Sequence, residues 1–442
     1  MGFLKKFTKQ EISWMMYDWA NSAHSVIVVT ILPIFFDTVA GYTADSVSSM
    51  STWGFATSLA MAIVALSAPF LGVFGDIRGM RKKLFTAFML IGVVSVAGLS
   101  FTPFMDFTAS PDAAGRGAAI VLVLYITSTI GFDASCIYYD AFLTDVTTED
   151  RMDSVSTLGY GLGYIGGSTI PLLIFLIMNA VGVPMLTCLG FIFGLTAVWW
   201  LVFSVPLVKN CEQTSGKPYK KGDVGASIKN VFTTMKEIGA DKPMLIYIIS
   251  YFFYIDGVYT IIEMSTAYGK DVGIGDSSML LALLLTQVVA FPCSILFGKL
   301  ARRFESEKLI LVCIGAYFLI ALFALQLDTA WKFWFLATCV GVFQGAIQAL
   351  SRSYYAKIIP KEKASEYFGV FDIFGKGASF LGTMLMGIST QLFHTSKAGV
   401  VMIAVLFVLG FVTFCLQGRQ AQKGAQTQSV NPAQQKLQTQ NL

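Results

Sequence analysis

Charge is scarce in this chain. Only 13% of its 442 residues are Asp, Glu, Lys or Arg, about half of the roughly 25% that soluble domains carry. Histidine is scarcer still: His24 and His394 are the only two, and their separation in sequence argues against a metal site. The seven cysteines, Cys136, Cys188, Cys211, Cys293, Cys313, Cys339 and Cys415, are scattered, mostly in apolar stretches, with no Cys-x-x-Cys pair. They read as packing residues, which argues against disulfides or zinc. No Gly-x-x-x-x-Gly-Lys-Ser/Thr run is present, so an ATP-driven pump is disfavoured. A cleavable signal peptide is not expected either. The first apolar stretch is long, interrupted by Asp18 and Pro33, and lacks a small-residue cleavage site. No enzymatic activity, metal or cofactor is expected, beyond a proton as coupling ion.

Apolar residues, by contrast, make up 55% of the chain, and the mean hydropathy is +0.66. Runs long enough to span a bilayer recur along almost the whole length. The pattern predicts twelve membrane helices, near 12–41, 51–75, 84–103, 118–147, 155–180, 183–208, 243–269, 278–300, 308–327, 331–359, 365–393 and 397–417. The fold class is therefore all-α integral membrane. Basic residues are unevenly placed. Lys5, Lys6 and Lys9 precede the first segment, Arg78, Arg81, Lys82 and Lys83 follow the second, and lysines crowd 209–242. Lys299, Arg302, Arg303 and Lys308 follow the eighth, and Lys357, Lys361 and Lys363 the tenth. The positive-inside rule then puts both termini in the cytoplasm. These clusters are topology signals, and no nucleic-acid partner is expected.

The polar break at 209–242 divides the chain into an N-terminal six-helix unit, 1–208, and a C-terminal one, 243–417, followed by a Gln-rich tail, 418–442, that reads as disordered. The halves look related. Asp18 matches Asp256, 238 positions on; Gly72 and Lys82 match Gly298 and Lys308, 226 on; Asp150, Arg151 and Gly163 match Glu362, Lys363 and Gly375, 212 on. The ordered drift of the offset fits a parallel duplication with longer outer loops in the first half.

Polar residues inside apolar segments are the candidate site. A carboxylate in the bilayer costs roughly 2.5–3.5 kcal/mol, so it should face protein or water. Asp18, Asn21 and Ser25 share one stripe of the first segment. Asp133 and Asp140 share a face of the fourth, and Asp256 and Glu263 a face of the seventh. Gln344, Gln348 and Arg352 line one stripe of the tenth; Asp372 and Lys376 are four apart in the eleventh and could pair. Two readings stand side by side. In one, these residues form a solute and proton path: Asp18, Asn21, Ser25, Asp133, Asp140, Asp256, Glu263, Gln348 and Lys376. In the other, the carboxylates are matched by Lys376 and Arg352 in fixed ion pairs that hold the halves together, with Asp372 a further ion-pair candidate. Gly159, Gly163 and Gly167 allow close helix packing in the fifth segment. Trp14, Trp53, Trp331 and Trp334 lie near segment ends and fit an interfacial belt.

The loop after the second segment reads Gly72-Val-Phe-Gly75-Asp76-Ile-Arg78-Gly79-Met-Arg81-Lys82. It resembles the signature of the major facilitator superfamily, Gly-x-x-x-Asp-x-x-Gly-x-Arg-Lys. That resemblance implies two pseudo-symmetric six-helix bundles and a central cavity lined by the first, fourth, seventh and tenth helices. It also implies a cytoplasmic latch made by Gly72, Asp76, Arg78, Gly79, Arg81 and Lys82. More narrowly, Tyr17-Asp18-Trp19-Ala20-Asn21-Ser22-Ala23, Tyr139-Asp140-Ala141-Phe142-Leu143, Asp256-Gly257-Val258 with Thr260-Ile261-Ile262, and Phe374-Gly375-Lys376-Gly377 are similar to the bacterial branch of the yeast vacuolar amino-acid effluxer family. The likeness covers about 12–417. His24, and a turn at 144–148 without proline, depart from the family pattern.

The expectation is a monomeric secondary transporter in the bacterial inner membrane. It would export or exchange an amino acid or related small polar or zwitterionic solute by alternating access, with proton coupling. A lipid or amphiphile transporter is the alternative that 37 phenylalanines keep open. A nontransporting membrane receptor or assembly factor is disfavoured by the intramembrane acids.

Overall fold

In a computed structural model, residues 6–43, 49–218 and 223–429 are described, except the side chains of 29, 49–51, 223–230, 266–267, 271, 276–277, 376–380 and 419–429. The first half comprises α1 (Lys9–Thr30), α2 (Leu32–Ala40), α3 (Ser49–Gly75), α4 (Met80–Leu99), α5 (Pro111–Val146), α6 (Glu149–Leu162), α7 (Ile170–Ala180) and α8 (Met185–Asn210). The linker carries α9 (Asp223–Ala240). The second half comprises α10 (Lys242–Asp271), α11 (Asp276–Leu300), α12 (Ser306–Ala324), α13 (Ala330–Ile358), α14 (Ala364–Phe393) and α15 (Ser396–Ser429). The protein is nearly all-helical, with one isolated parallel bridge, Ile77 to Lys217, among the described residues.

Eleven helical stretches among the described residues are long and apolar enough to cross a membrane. The twelfth expected segment is α14, whose apolar stretch among the described residues is Leu381–Phe393. The outer surface is lipid-like: Leu66 is 74% exposed, Phe55 73% and Leu319 64%. A chain in water would bury such side chains in preference to its polar ones.

Local chemistry sets the helix limits. α1 starts in a capping box: the Thr8 side chain accepts the Glu11 N–H at 3.1 Å, and the Glu11 carboxylate accepts the Thr8 N–H at 2.7 Å. Pro33 breaks the first segment, so α1 ends and α2 begins around Ile31. The fifth segment is α6, a π-helical turn over Gly163–Thr169, and α7. The extra residue of that turn is accommodated by close packing on α1. A Cβ at Gly166 would lie 2.1 Å from the Trp19 ring. α15 continues through Ser429, past the boundary at 418, because Gln, Ala and Lys are sound helix formers; the rest of the tail lies outside the described residues.

The N-terminus, the loop between α3 and α4, the loop between α5 and α6, and linker residues 211–217 meet at one end of the bundle. Arg78 N–H donates to the Lys217 carbonyl at 2.9 Å, Lys217 N–H to the Asp76 carbonyl at 2.8 Å, and Cys211 Sγ lies 3.6 Å from the Gln10 carbonyl. This is the linker end, and the bonds between halves named below lie on its side of the molecule.

Candidate functional site: a buried charge hub and the seal beside it

The hub is built on Arg352, near the linker end of α13. Its Nη1 donates to Asp140 Oδ1 at 3.1 Å and its Nη2 to Asp18 Oδ2 at 3.2 Å. Both acids come from the first half, on α5 and α1. The guanidinium also donates through Nε to Ser156 Oγ on α6 at 3.0 Å, and through Nη2 to the Ser156 carbonyl at 3.3 Å. Three aromatic rings surround it: Tyr160 at 4.3 Å, Trp14 at 4.6 Å and Tyr139 at 5.3 Å from the guanidinium carbon to the ring centre. Carboxylates and aromatic faces both favour a cation, more so when water is excluded. The Arg352 side chain is 4% exposed and that of Asp18 9%, whereas that of Asp140 is 26% exposed. Access to the hub is therefore from the Asp140 side. Asp372 on α14 lies within electrostatic reach of Asp140. Tyr164 donates to Gln348 Oε1 at 3.1 Å and joins the halves beside the hub.

The seal at the linker end has two parts. In the first, Asp76 meets the N-terminus of α14: its Oδ1 accepts the Ser365 N–H at 2.8 Å and its Oδ2 the Glu366 N–H at 2.9 Å. Free N–H groups and the helix dipole make that terminus an anion site. Arg81 donates to Asp76 at 2.9 Å, to Ser365 Oγ at 2.9 Å, and to Asp145. Burial pushes the Asp76 carboxyl above its ordinary range, against the pull of Arg81 and the two N–H groups. Gly72 makes the approach possible, because a Cβ there would lie 2.4 Å from the Ser365 carbonyl oxygen. Gly79 takes φ +80 and donates its N–H to Gln213 Oε1 at 2.8 Å, tying the loop to the linker. Arg78 is exposed and contributes its backbone; Lys82 is half-buried beside it.

In the second part, Asp153 of α6 accepts from Ser353 at 2.6 Å, Ser306 at 2.8 Å and Lys357 at 2.5 Å, all in the second half. Arg302 donates to Ser154 Oγ at 3.0 Å, and Ser154 donates to the Gly298 carbonyl at 3.0 Å. The two parts occupy corresponding places with charge inverted. Arg302 stands 226 positions after Asp76, Lys357 stands 212 after Asp145, and Arg352 stands 212 after Asp140. Of these three corresponding pairs, Asp140 and Arg352 bond each other across the halves.

The remaining candidates are dispersed. Asn21 is buried, with its amide 3.7 Å from Cys136 Sγ. Ser25 and Glu263 are exposed. Asp133 is buried, and both Asp133 and Glu263 lie within electrostatic reach of Tyr125. Asp256 does not join the hub. It is fully buried, and its Oδ1 accepts the Gly382 N–H at 2.8 Å and the Thr260 hydroxyl at 3.4 Å, both within the second half. The expected pairing of Lys376 with Asp372 lies outside the described side chains. Thr260 also lines an apolar cavity bounded by α10, α11, α12, α13, α14 and α15 and including Gln287 and Gln344.

Several hub and seal residues are not among the candidate site residues the sequence singles out: Trp14, Tyr139, Tyr160, Asp145, Asp153, Ser156 and Lys357. Trp14 in particular is fully buried rather than interfacial, because it stacks on Tyr139 at 4.4 Å under Arg352. The duplication offset could have found Asp145 with Lys357. Nothing in the sequence separates the hub aromatics from ordinary packing residues.

The model of the Atg22-like vacuole effluxers matches residues 39–151 and 144–428. YxiO, an MFS-type transporter of Bacillus subtilis (strain 168), is 42% identical over 417 residues, which is 92% of this chain and 95% of that protein. Autophagy-related protein 22-1 of Neosartorya fischeri is 21% identical over 58% of this chain, which spans 46% of that longer protein. Among solved structures, the major facilitator transporter FucP in its outward conformation superposes with a TM-score of 0.69 at 11% identity, over 92% of this chain and 98% of that one. A bacterial homologue of the iron transporter ferroportin, outward-facing, superposes with a TM-score of 0.66 at 14% identity, over 93% and 99%. The chain belongs to the Atg22-like vacuole effluxer family and has the fold of a major facilitator transporter.

Proposed function

We propose that this protein exports or exchanges an amino acid or a related small polar or zwitterionic solute across the bacterial inner membrane by alternating access, coupled to protons. One observation carries the reading. Arg352 of one half is bonded to Asp18 and Asp140 of the other, at a depth where an unpaired charge is expensive. A zwitterion needs an acceptor for its ammonium and a donor for its carboxylate, and this hub holds both kinds of group between the two moving bodies. The linker end is the cytoplasmic end, and the seal closes it in the outward-facing state. Asp256 serves as the proton-loading acid, deep in the second half. The working unit is the monomer.

The apolar cavity beside Thr260, lined largely by aliphatic side chains, favours a second reading, an amphiphile as cargo. Counterflow into proteoliposomes separates the two. Labelled amino acids accumulate against unlabelled ones if the first reading holds. Accumulation of labelled fatty amines or lysolipids alone, with no amino acid moved, would favour the second.

A further inference from the structure

We infer that Arg352 is an internal stand-in for a cationic group of the transported solute, which binds by displacing it from Asp140 and the surrounding rings. The inference rests on the transporter reading and names its substrate class: a solute carrying an ammonium or guanidinium.

The surroundings of Arg352 are those of a cation receptor. Two carboxylates hold its two terminal nitrogens, at 3.1 and 3.2 Å. Tyr160 and Trp14 present faces at 4.3 and 4.6 Å. Asp372 adds a further carboxylate within electrostatic reach of Asp140. A cation reaching the hub from its exposed side meets Asp140 and the half-buried Tyr160 first, because Asp18 and Arg352 are more deeply buried. A solute carboxylate gains access to the Arg352 guanidinium only once the arriving cation has displaced it. The guanidinium is 4% exposed, and its donors already point at Asp140, Asp18 and Ser156.

Occupancy by both cations is disfavoured, since like charges repel strongly where water is excluded. Competition then couples binding to motion. Arg352 ties α13 to α6 through Ser156, whose hydroxyl donates to the Ala349 carbonyl at 2.8 Å. A cation that takes over Asp140 loosens this cross-half tie. Differential affinity for the released state is what a ligand needs in order to shift a conformational equilibrium.

The test measures equilibrium binding of agmatine, L-alanine and succinate to the purified full-length protein in lipid nanodiscs, with counterflow of the same labelled compounds. Agmatine carries cations and no carboxylate; succinate is the reverse. Agmatine binding should weaken at least tenfold in Asp140→Asn. It should tighten severalfold in Arg352→Gln, because the internal competitor is gone; a purely structural arginine would not produce that gain. Asp140→Asn leaves the Asp18–Arg352 pair in place and keeps the test readable if Arg352→Gln misfolds. Succinate bound in preference, with loss in Arg352→Gln, would overturn the inference while leaving the transporter reading intact. So would agmatine binding indifferent to Asp140→Asn, or agmatine failing to bind. Failure of all three labelled solutes to move would count against both.

Discussion

Asp140 and Arg352 occupy corresponding positions of the two halves, 212 residues apart in sequence, and are bonded to each other at 3.1 Å. A duplicated position has become an acid in one copy and a base in the other, and the pair closes across the interface between them. The same inversion relates Asp76 to Arg302 and Asp145 to Lys357. These four seal residues make their bonds to neighbouring groups rather than to one another: Asp76 and Asp145 to Arg81, Arg302 to Ser154, Lys357 to Asp153.

Removing one member of the hub should cost more than removing two. Arg352→Ala strands two buried carboxylates and should destabilise the protein by about 3–5 kcal/mol. Arg352→Ala with Asp18→Asn should recover part of that loss, giving a coupling energy of about 1–3 kcal/mol. Thermal or denaturant unfolding of the singles and the double in detergent measures it. Strict additivity would mean that the pair contributes no mutual stabilisation.

Asp76→Asn should loosen the linker-end seal. The amide oxygen can still accept one N–H of α14 but loses the charge that holds Arg81. Spin labels at exposed positions 78 and 361 on a cysteine-free background report the gap between the loop and the α13–α14 connection. The distance distribution should broaden and shift to longer values. An unchanged distribution with transport lost would point instead to a direct role in binding solute.

Gly72→Ala should act on the same seal by volume alone. The added methyl would meet the Ser365 carbonyl oxygen at 2.4 Å and the Glu366 Cα at 2.8 Å, both backbone atoms with little freedom to yield. The expected result is the same open-seal distance distribution predicted for Asp76→Asn, with global stability lowered by about 1–3 kcal/mol. A closed seal in the variant would show that α3 and α14 can separate locally without releasing the lock.

Asp153→Asn tests the second part. It removes the charge facing Lys357 and weakens the bonds from Ser306 and Ser353. Opening should be comparable to that of Asp76→Asn, and the double variant should open further than either. By contrast, Glu237→Gln at the partly exposed Lys363 pair on α9 should change stability by no more than about 1 kcal/mol.

Much of the fold was legible because the bilayer imposes a simple rule on composition: long apolar runs span, and basic residues mark one side. Pro33 gave warning of a break in the first segment, yet the π-turn at Gly163–Thr169 could not be told from ordinary glycine packing. Within the site, Asp18, Asp140 and Arg352 stood out because charge is costly in apolar helices. Their convergence did not stand out, since three residues 122 and 212 positions apart carry no local signal of contact. Asp256 looked like the twin of Asp18 and occupies the equivalent place in sequence. Its surroundings differ because α14 approaches it through Gly382, whose N–H supplies the bond that Arg352 gives Asp18. Trp14 and Tyr160 were invisible for a plainer reason: an aromatic residue in a membrane helix is nearly always explained by packing or the interface.

The most direct test of the account is proton-gradient-driven accumulation of a panel of labelled amino acids by reconstituted wild-type protein and Asp18→Asn. Asn is nearly isosteric with Asp and removes the charge that pairs with Arg352. The account predicts accumulation of at least one amino acid by the wild type and none by a folded, correctly inserted Asp18→Asn. Equal accumulation by both proteins would contradict it.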